Sequence, residues 1–326
     1  MLQPAKTLCP TENLGLSSSQ TRCYNKKVMI WIPLALASYF FWALVNIGDK
    51  YVVSNRIKNP YVYMMWLALL GIVSIVLIPF IDFFIPPLSI MLWLLAATSL
   101  YFYGGLPYIR AVQLEDISRV NIWWNLIPLF SLVLAWQFLG EQLAGQQIIA
   151  FVLLVAGAVI ASIHLKTRQL VFSKALWYMV AATLAFAGYA VILRLIAQVI
   201  PFIVAFVWTS ILAFFPALTL LFFSKLRKDF FKEFKSLTAQ TAAPVLGVAI
   251  FDNAGLFFNI WALSLGPVAL VYALEGFQTV FVFMLAILIS VFNPKILREE
   301  TDVANVLLKL TALVLMIIGA SLIHLN

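Results

Sequence analysis

Charge is what this chain lacks most. Asp, Glu, Lys and Arg make up 10% of its 326 residues and hydrophobic residues 64%, where an ordinary soluble domain is about 25% charged and about 45–50% apolar. Mean hydropathy is +1.02. So few polar side chains cannot cover a water-facing surface, so lipid must solvate most of the exterior. Inside hydrocarbon every backbone N–H and C=O needs a partner within the protein, which leaves helices or a closed barrel. The apolar residues come in continuous blocks rather than in period-two alternation, and that decides for helices.

Histidine and cysteine are nearly as scarce, at two each. His164 and His324 sit at block ends far apart in order, and Cys9 and Cys23 precede the first block. There is no metal-ligand spacing, no Gly-x-Ser-x-Gly elbow and no phosphate loop. Gly48-Asp49 and Asp252 resemble an intramembrane aspartyl pair only in composition, since no Gly-x-Gly flanks them. The chain therefore reads as a non-enzyme with no cofactor and no metal. Its net charge of +8 does not point to nucleic acid, because the cations lie in loops. Lys50, Arg56 and Lys58, then Lys166, Arg168 and Lys174, then Lys225, Arg227, Lys228, Lys232 and Lys235, then Lys295 and Arg298 occupy loops on one side. The opposite loops hold almost none. The positive-inside rule makes the basic side cytoplasmic and places both termini outside, with Lys26 and Lys27 opposing.

Ten blocks of membrane length fall at roughly 29–48, 61–80, 89–110, 117–138, 146–165, 174–196, 200–223, 242–264, 267–291 and 304–325, each near the ~20 residues that cross a bilayer. Asn59-Pro60, Pro86-Pro87, Gly140, Gly266-Pro267 and Asn293-Pro294 punctuate them. Residues 1–27 are polar and read as a disordered tail; a cleaved signal is the rival reading, but the apolar run after Lys27 is a full crossing.

The fifth block ends one half and the sixth begins another. A shift of 151 lays Tyr101, Gly104, Tyr108, Ala111 and Leu114 over Asp252, Gly255, Asn259, Ala262 and Leu265. The same shift lays Ser118, Asn121, Asn125 and Pro128 over Ala269, Tyr272, Gly276 and Thr279. An odd number of crossings inverts the second copy. The expectation is an all-α integral membrane protein of ten transmembrane helices, built as two inverted five-helix repeats at residues 28–165 and 174–326, which is the plan of many secondary transporters. Small and polar stripes within apolar helices should face other helices or a cavity, so spans three, four, eight and nine should surround the centre.

At this point the chain resembles a family. Trp42-Ala43-Leu44-Val45-Asn46 leading to Asp49-Lys50-Tyr51, and Ile127-Pro128-Leu129-Phe130 followed by Phe138-Leu139-Gly140-Glu141-Gln142-Leu143, are similar to EamA-type members of the drug/metabolite transporter superfamily. The resemblance spans about residues 29–325, and departs where Thr279 replaces the proline of span nine and where 293–300 lengthens the following loop. It implies a multi-pass carrier of a small metabolite, amino-acid-like or drug-like solute in a cell membrane, the inner membrane if bacterial, with export as the implied direction. A channel, or a scaffold or receptor in the membrane, is the alternative.

Ionisable groups within hydrocarbon cost about 2.5–3.5 kcal/mol each at a helix centre, so each is a functional candidate. Asp252 in span eight and Glu275 in span nine stand out, with Asn259 on the Asp252 face and Gln278 one turn from Glu275. A buried carboxyl can take and release a proton, so proton coupling is expected of this pair; assembly through hydrogen bonds or through Arg194 is the rival reading. Arg194 either anchors its helix by snorkelling or attracts an anionic group. Asp49 and Lys50 read as an interfacial anchor. Arg110, Glu115, Asp116 and Arg119 read as an ion-pair cluster at a wet turn. Asn46, Asn121 and Asn125 supply amides, and Tyr101, Trp124 and Tyr272 lie on or beside the polar stripes. The remaining tryptophans read as interface belts and packing. The partners expected are a small-molecule solute, membrane lipid and protons.

Overall fold

The computed structural model describes residues 30–57, 59–114, 120, 123–162, 174–292 and 303–323, and all regular structure among them is helical. In chain order the helices are α1 (Trp31–Asn55), α2 (Pro60–Leu70), α3 (Leu88–Leu114), α4 (Leu126–Leu134), α5 (Gly145–Ser162), α6 (Lys174–Ala197), α7 (Phe202–Leu212), α8 (Phe214–Thr219), α9 (Ser224–Lys235), α10 (Ala239–Leu265), α11 (Val268–Ala273), α12 (Gly276–Phe292) and α13 (Val303–Ile323). Among the described residues, seven helical segments are long and apolar enough to cross a membrane: Trp31–Val53, Pro60–Phe80, Leu88–Ala111, Lys174–Ala197, Phe202–Phe222, Ala239–Leu265 and Val268–Leu285. Shorter apolar segments at Leu126–Leu139, Gly145–Ala161 and Leu307–Ile323 fall on the other three blocks.

Local chemistry sets several boundaries. Asn59 accepts a hydrogen bond from the Tyr61 N–H at 3.1 Å and Pro60 occupies the first turn, so α2 starts there. Its span tightens into a 3-10 helix over Gly71–Phe80, which contains Pro79. After α4 a π-helical turn, Ala135–Leu139, ends at Gly140 with φ of 65°. Only glycine takes that left-handed conformation without strain, and it turns the chain so that Glu141 points back into the bundle.

Two elements depart from the reading of the sequence. The basic stretch after span seven is helical, α9, because Leu226, Phe230 and Phe234 recur every four residues and give it an apolar face. Trp66 of α2 stacks on Phe230 at 5.1 Å and on Phe234 at 5.7 Å. Span nine is broken: α11 ends in a turn at Leu274 and Glu275 before α12 resumes at Gly276. Span four has a turn at Asn125, 151 places before Gly276.

The most extensive helix contacts join α3 to α6, α1 to α10, and α5 to α13. Next come α1 with α12 and α4 with α6, and then α4 with α11 and α7 with the Gly71–Phe80 segment. The main apolar core gathers the first turns of α1 and α3, the last turns of α6 and α10, and α11, with Tyr39, Leu94, Leu193, Leu263 and Leu270 all 0% exposed. It packs shut the end of the bundle opposite the basic loops. A smaller cluster around Val52, Val62, Tyr63 and Phe230 holds the other end. Outward residues such as Val76, Phe80 and Trp177 are exposed and apolar, as a lipid-facing surface requires.

Candidate functional site

Above the main core lies a cavity of about 180 Å³. Its deep wall is Tyr272, Glu275 and Gln278 at the break of span nine; Trp42, Tyr101 and Asp252 stand at mid-depth; Asn46, Asp49 and Tyr108 continue toward the basic-loop end. Trp124, Phe186 and Asn253 complete the sides.

Asp252 is held from two helices. The Trp42 indole N–H donates to its Oδ1 at 3.2 Å and the Tyr101 hydroxyl donates to the same oxygen at 3.4 Å. Close approach is possible because Gly255 faces Trp42: a Cβ there would lie 2.7 Å from the indole Cδ1 and Nε1. Gly104, its counterpart on α3, meets α6 at Ala185 in the same way, at 2.9 Å. Tyr63 donates to Asp49 Oδ1. Glu275 differs, because its Oε2 is buried and has no hydrogen-bond partner, and the Oδ1 of Asn253 is likewise unpartnered. Tyr101, Phe186, Trp124 and Tyr108 form a continuous ring cluster, with successive centroids 5.3, 5.3 and 4.8 Å apart.

Of the residues singled out in the sequence, Asn46, Tyr101, Trp124, Asp252, Tyr272, Glu275 and Gln278 line this one cavity. Asn259 stands behind the wall, 0% exposed, accepting a hydrogen bond from the Tyr272 hydroxyl at 3.4 Å. Asn125 sits half-buried at the turn before α4 and outside the lining. Asn121 and the acidic turn at Glu115, Asp116 and Arg119 lie outside the described residues; Arg110 packs over the Tyr61 ring at 5.1 Å.

Arg194 does not reach the cavity. Its Nε bonds Glu141 Oε1 at 3.0 Å and its Nη1 donates to the Leu263 carbonyl at 2.8 Å, while Glu141 Oε2 accepts the Val268 N–H at 3.0 Å. The side chains are 17% and 18% exposed. One ion pair thus ties the turn after α4, the end of α6, the end of α10 and the start of α11. The rival reading of Asp252 and Glu275 as Arg194 partners is not what the structure holds, and neither is an Arg194 facing a solute.

The sequence reading missed Asp49 as a wall residue, and it missed spans two and seven, which contribute Met64, Leu67, Gly71, Thr209 and Ser210. A signal for Asp49 was present: Trp42, Asn46 and Asp49 lie at i, i+4 and i+7 and so share one helix face. Spans two and seven carry no comparable polar stripe.

Residues 29–163 match the profile of the EamA-like transporter family. No curated protein matches the chain. Among solved structures, one described only as the crystal structure of a protein superposes with a TM-score of 0.64 over 91% of this chain and 96% of its own, at 17% identity, a shared fold. Residues 29–163 are thus similar to an EamA-like transporter domain, in a chain whose described residues include seven helical segments long and apolar enough to cross a membrane.

Proposed function

We propose, taking the EamA-like domain of residues 29–163 as premise, that the protein is a secondary carrier moving a small metabolite, amino-acid-like or drug-like solute by alternating access. Its two halves, residues 28–165 and 174–326, are inverted copies of five spans around the cavity. The pairing of helices supports this. Replacing each span by its counterpart five later turns the α1–α10 contact into the α6–α3 contact and the α1–α12 contact into the α6–α4 contact, and both members of each pair are prominent. The α5–α13 contact maps onto itself, as a twofold axis demands. The turns at Asn125 and at Leu274–Glu275 are counterparts too, and interrupted helices at mid-membrane are where such carriers hold solute.

One departure from that symmetry carries the mechanism. Helix α6 packs on α10, whereas the counterpart pair α1 and α3 has little contact among the described residues, and the cavity lies between them. A bundle closed on one side of its axis and parted on the other represents one of two exchangeable states. In the other state α1 would close on α3 and α6 would leave α10, opening the end now held by Glu141 and Arg194. Binding solute in either state, and rocking only when loaded, gives coupled transport.

Asp252 and Glu275 are the coupling carboxyls in this reading, each able to exchange a proton as the cavity changes sides. Export is the direction the family implies, across the cell membrane. Purified protein in vesicles should give saturable flux and counterflow of its solute, which comparing metabolites of cells with and without the protein would identify; conductance that never saturates would mean a channel instead.

A further inference from the structure

We propose that the solute is an organic cation with an aromatic or apolar body, an inference that rests on the carrier reading and deepens it. Three carboxyl side chains, Asp49, Asp252 and Glu275, line the cavity, and no Lys or Arg does among the described residues. Arg194 is committed to Glu141 and the Leu263 carbonyl behind the closed end. Carboxyl groups thus stand at each depth of the cavity, with no basic side chain among the described lining residues.

Its unmet hydrogen-bonding groups among the described residues are two hydroxyls, Thr209 and Ser210, which can donate or accept, and two that can only accept. Glu275 Oε2 and Asn253 Oδ1 are both acceptors, both buried and both without partners. Buried polar atoms in folded proteins are overwhelmingly satisfied, so this pair calls for a donor or a positive charge from the solute. The rest of the wall is aromatic. Trp42, Tyr101, Trp124, Phe186 and Tyr272 present rings to the cavity, and ring faces attract cations while their bodies bury apolar surface. An anionic solute would find hydroxyl and amide donors at Thr209, Ser210, Asn46 and Gln278, but it would face three carboxyls with no cationic partner among the described lining residues. A neutral one would leave the carboxyls without a counter-charge. A cation supplies that charge, which is what allows a buried carboxyl to stand ionised away from water.

Benzyltrimethylammonium, its uncharged carbon isostere neopentylbenzene, and benzenesulfonate separate these cases by charge at similar size. Binding to the purified full chain would be read by tryptophan fluorescence. The expected result is saturable binding of benzyltrimethylammonium at least about tenfold tighter than either comparator, a difference corresponding to one decade in Kd. Asp252→Asn and Glu275→Gln should each weaken it by about tenfold or more, with Trp124→Leu as a variant that leaves the carboxyls in place and still weakens the cation. Equal or tighter binding of benzenesulfonate or neopentylbenzene overturns the assignment, and so does cation binding unchanged in the variants. Because this is a binding measurement, its failure leaves saturable flux and counterflow intact. Absence of flux with cation binding retained would instead remove the carrier reading.

Discussion

Arg194 and Glu141, 53 residues apart in the chain, meet at 3.0 Å and link the two halves of the molecule at the end away from the basic loops. Glu141 lies just after the left-handed Gly140, and Arg194 lies in the last turn of α6, where a cation complements the helix dipole. The carboxylate also receives the Val268 N–H and the guanidinium also donates to the Leu263 carbonyl, so four segments depend on one pair.

Glu141→Gln should loosen this end. Hydrogen bonds to charged groups contribute about 1.5–3 kcal/mol, and a loss near that size should appear as a lower unfolding midpoint. A cysteine placed at Leu263 should become more reactive to a water-soluble thiol reagent in E141Q. In the charge-swapped pair E141R/R194E it should stay reactive, because an Arg cannot accept the Val268 N–H and a Glu cannot donate to the residue 263 carbonyl. Unchanged reactivity would remove the pair as a latch.

Asp252→Asn keeps the shape of the site and can still accept from Trp42 and Tyr101, but it cannot carry a proton. Flux driven by a pH gradient in vesicles should fall by about tenfold or more if Asp252 couples transport, while counterflow without a gradient should persist once the solute is raised to offset its weaker binding. A D252N protein with wild-type pH dependence would reassign the coupling to Glu275 or Asp49.

Two glycines of the same helix should behave oppositely. Gly255→Ala drives a methyl against the rigid indole of Trp42 and should cost about 1–3 kcal/mol as overpacking, with a shift in tryptophan emission as the indole leaves Asp252. Gly247→Ala meets nothing within 4 Å and should be neutral or stabilise by up to about 1 kcal/mol. Thermal unfolding in detergent compares the two directly.

Trp66→Ala removes both ring stacks that hold α9 against α2, at about 0.5–1.5 kcal/mol each. Asn59 would retain its bond to Asp229 at 2.8 Å. Limited trypsin digestion should then cut faster within Ser224–Lys235, where the basic residues supply cleavage sites, with the rest of the chain as resistant as before.

Much of this molecule is written in runs and spacings that need no neighbour to be read. Low charge and long apolar blocks dictate membrane helices, because lipid offers the backbone no partners. The alignment of Tyr101 with Asp252 and of Gly104 with Gly255 foretold that these positions would lie together at the centre. Tyr101 and Asp252 do share a hydrogen bond, and each glycine does admit a helix from the other half. Helical periodicity also carried Asn46, Tyr272 and Gln278 into the wall. The same periodicity placed Asp49 on the face of Trp42, although its nearness to Lys50 and Arg56 read more simply as an anchor.

The sequence by itself determined the solvent, the helices and the stripes that must avoid lipid, since each depends on side chains a few residues apart. Only the tertiary structure decided which charges meet. Arg194 could have answered Asp252, Glu275 or a solute, and nothing local distinguishes these from Glu141. The choice follows from where α4, α6, α10 and α11 end relative to one another, because an ion pair in a medium that cannot hydrate it forms with whatever counter-charge the packed backbone brings within reach.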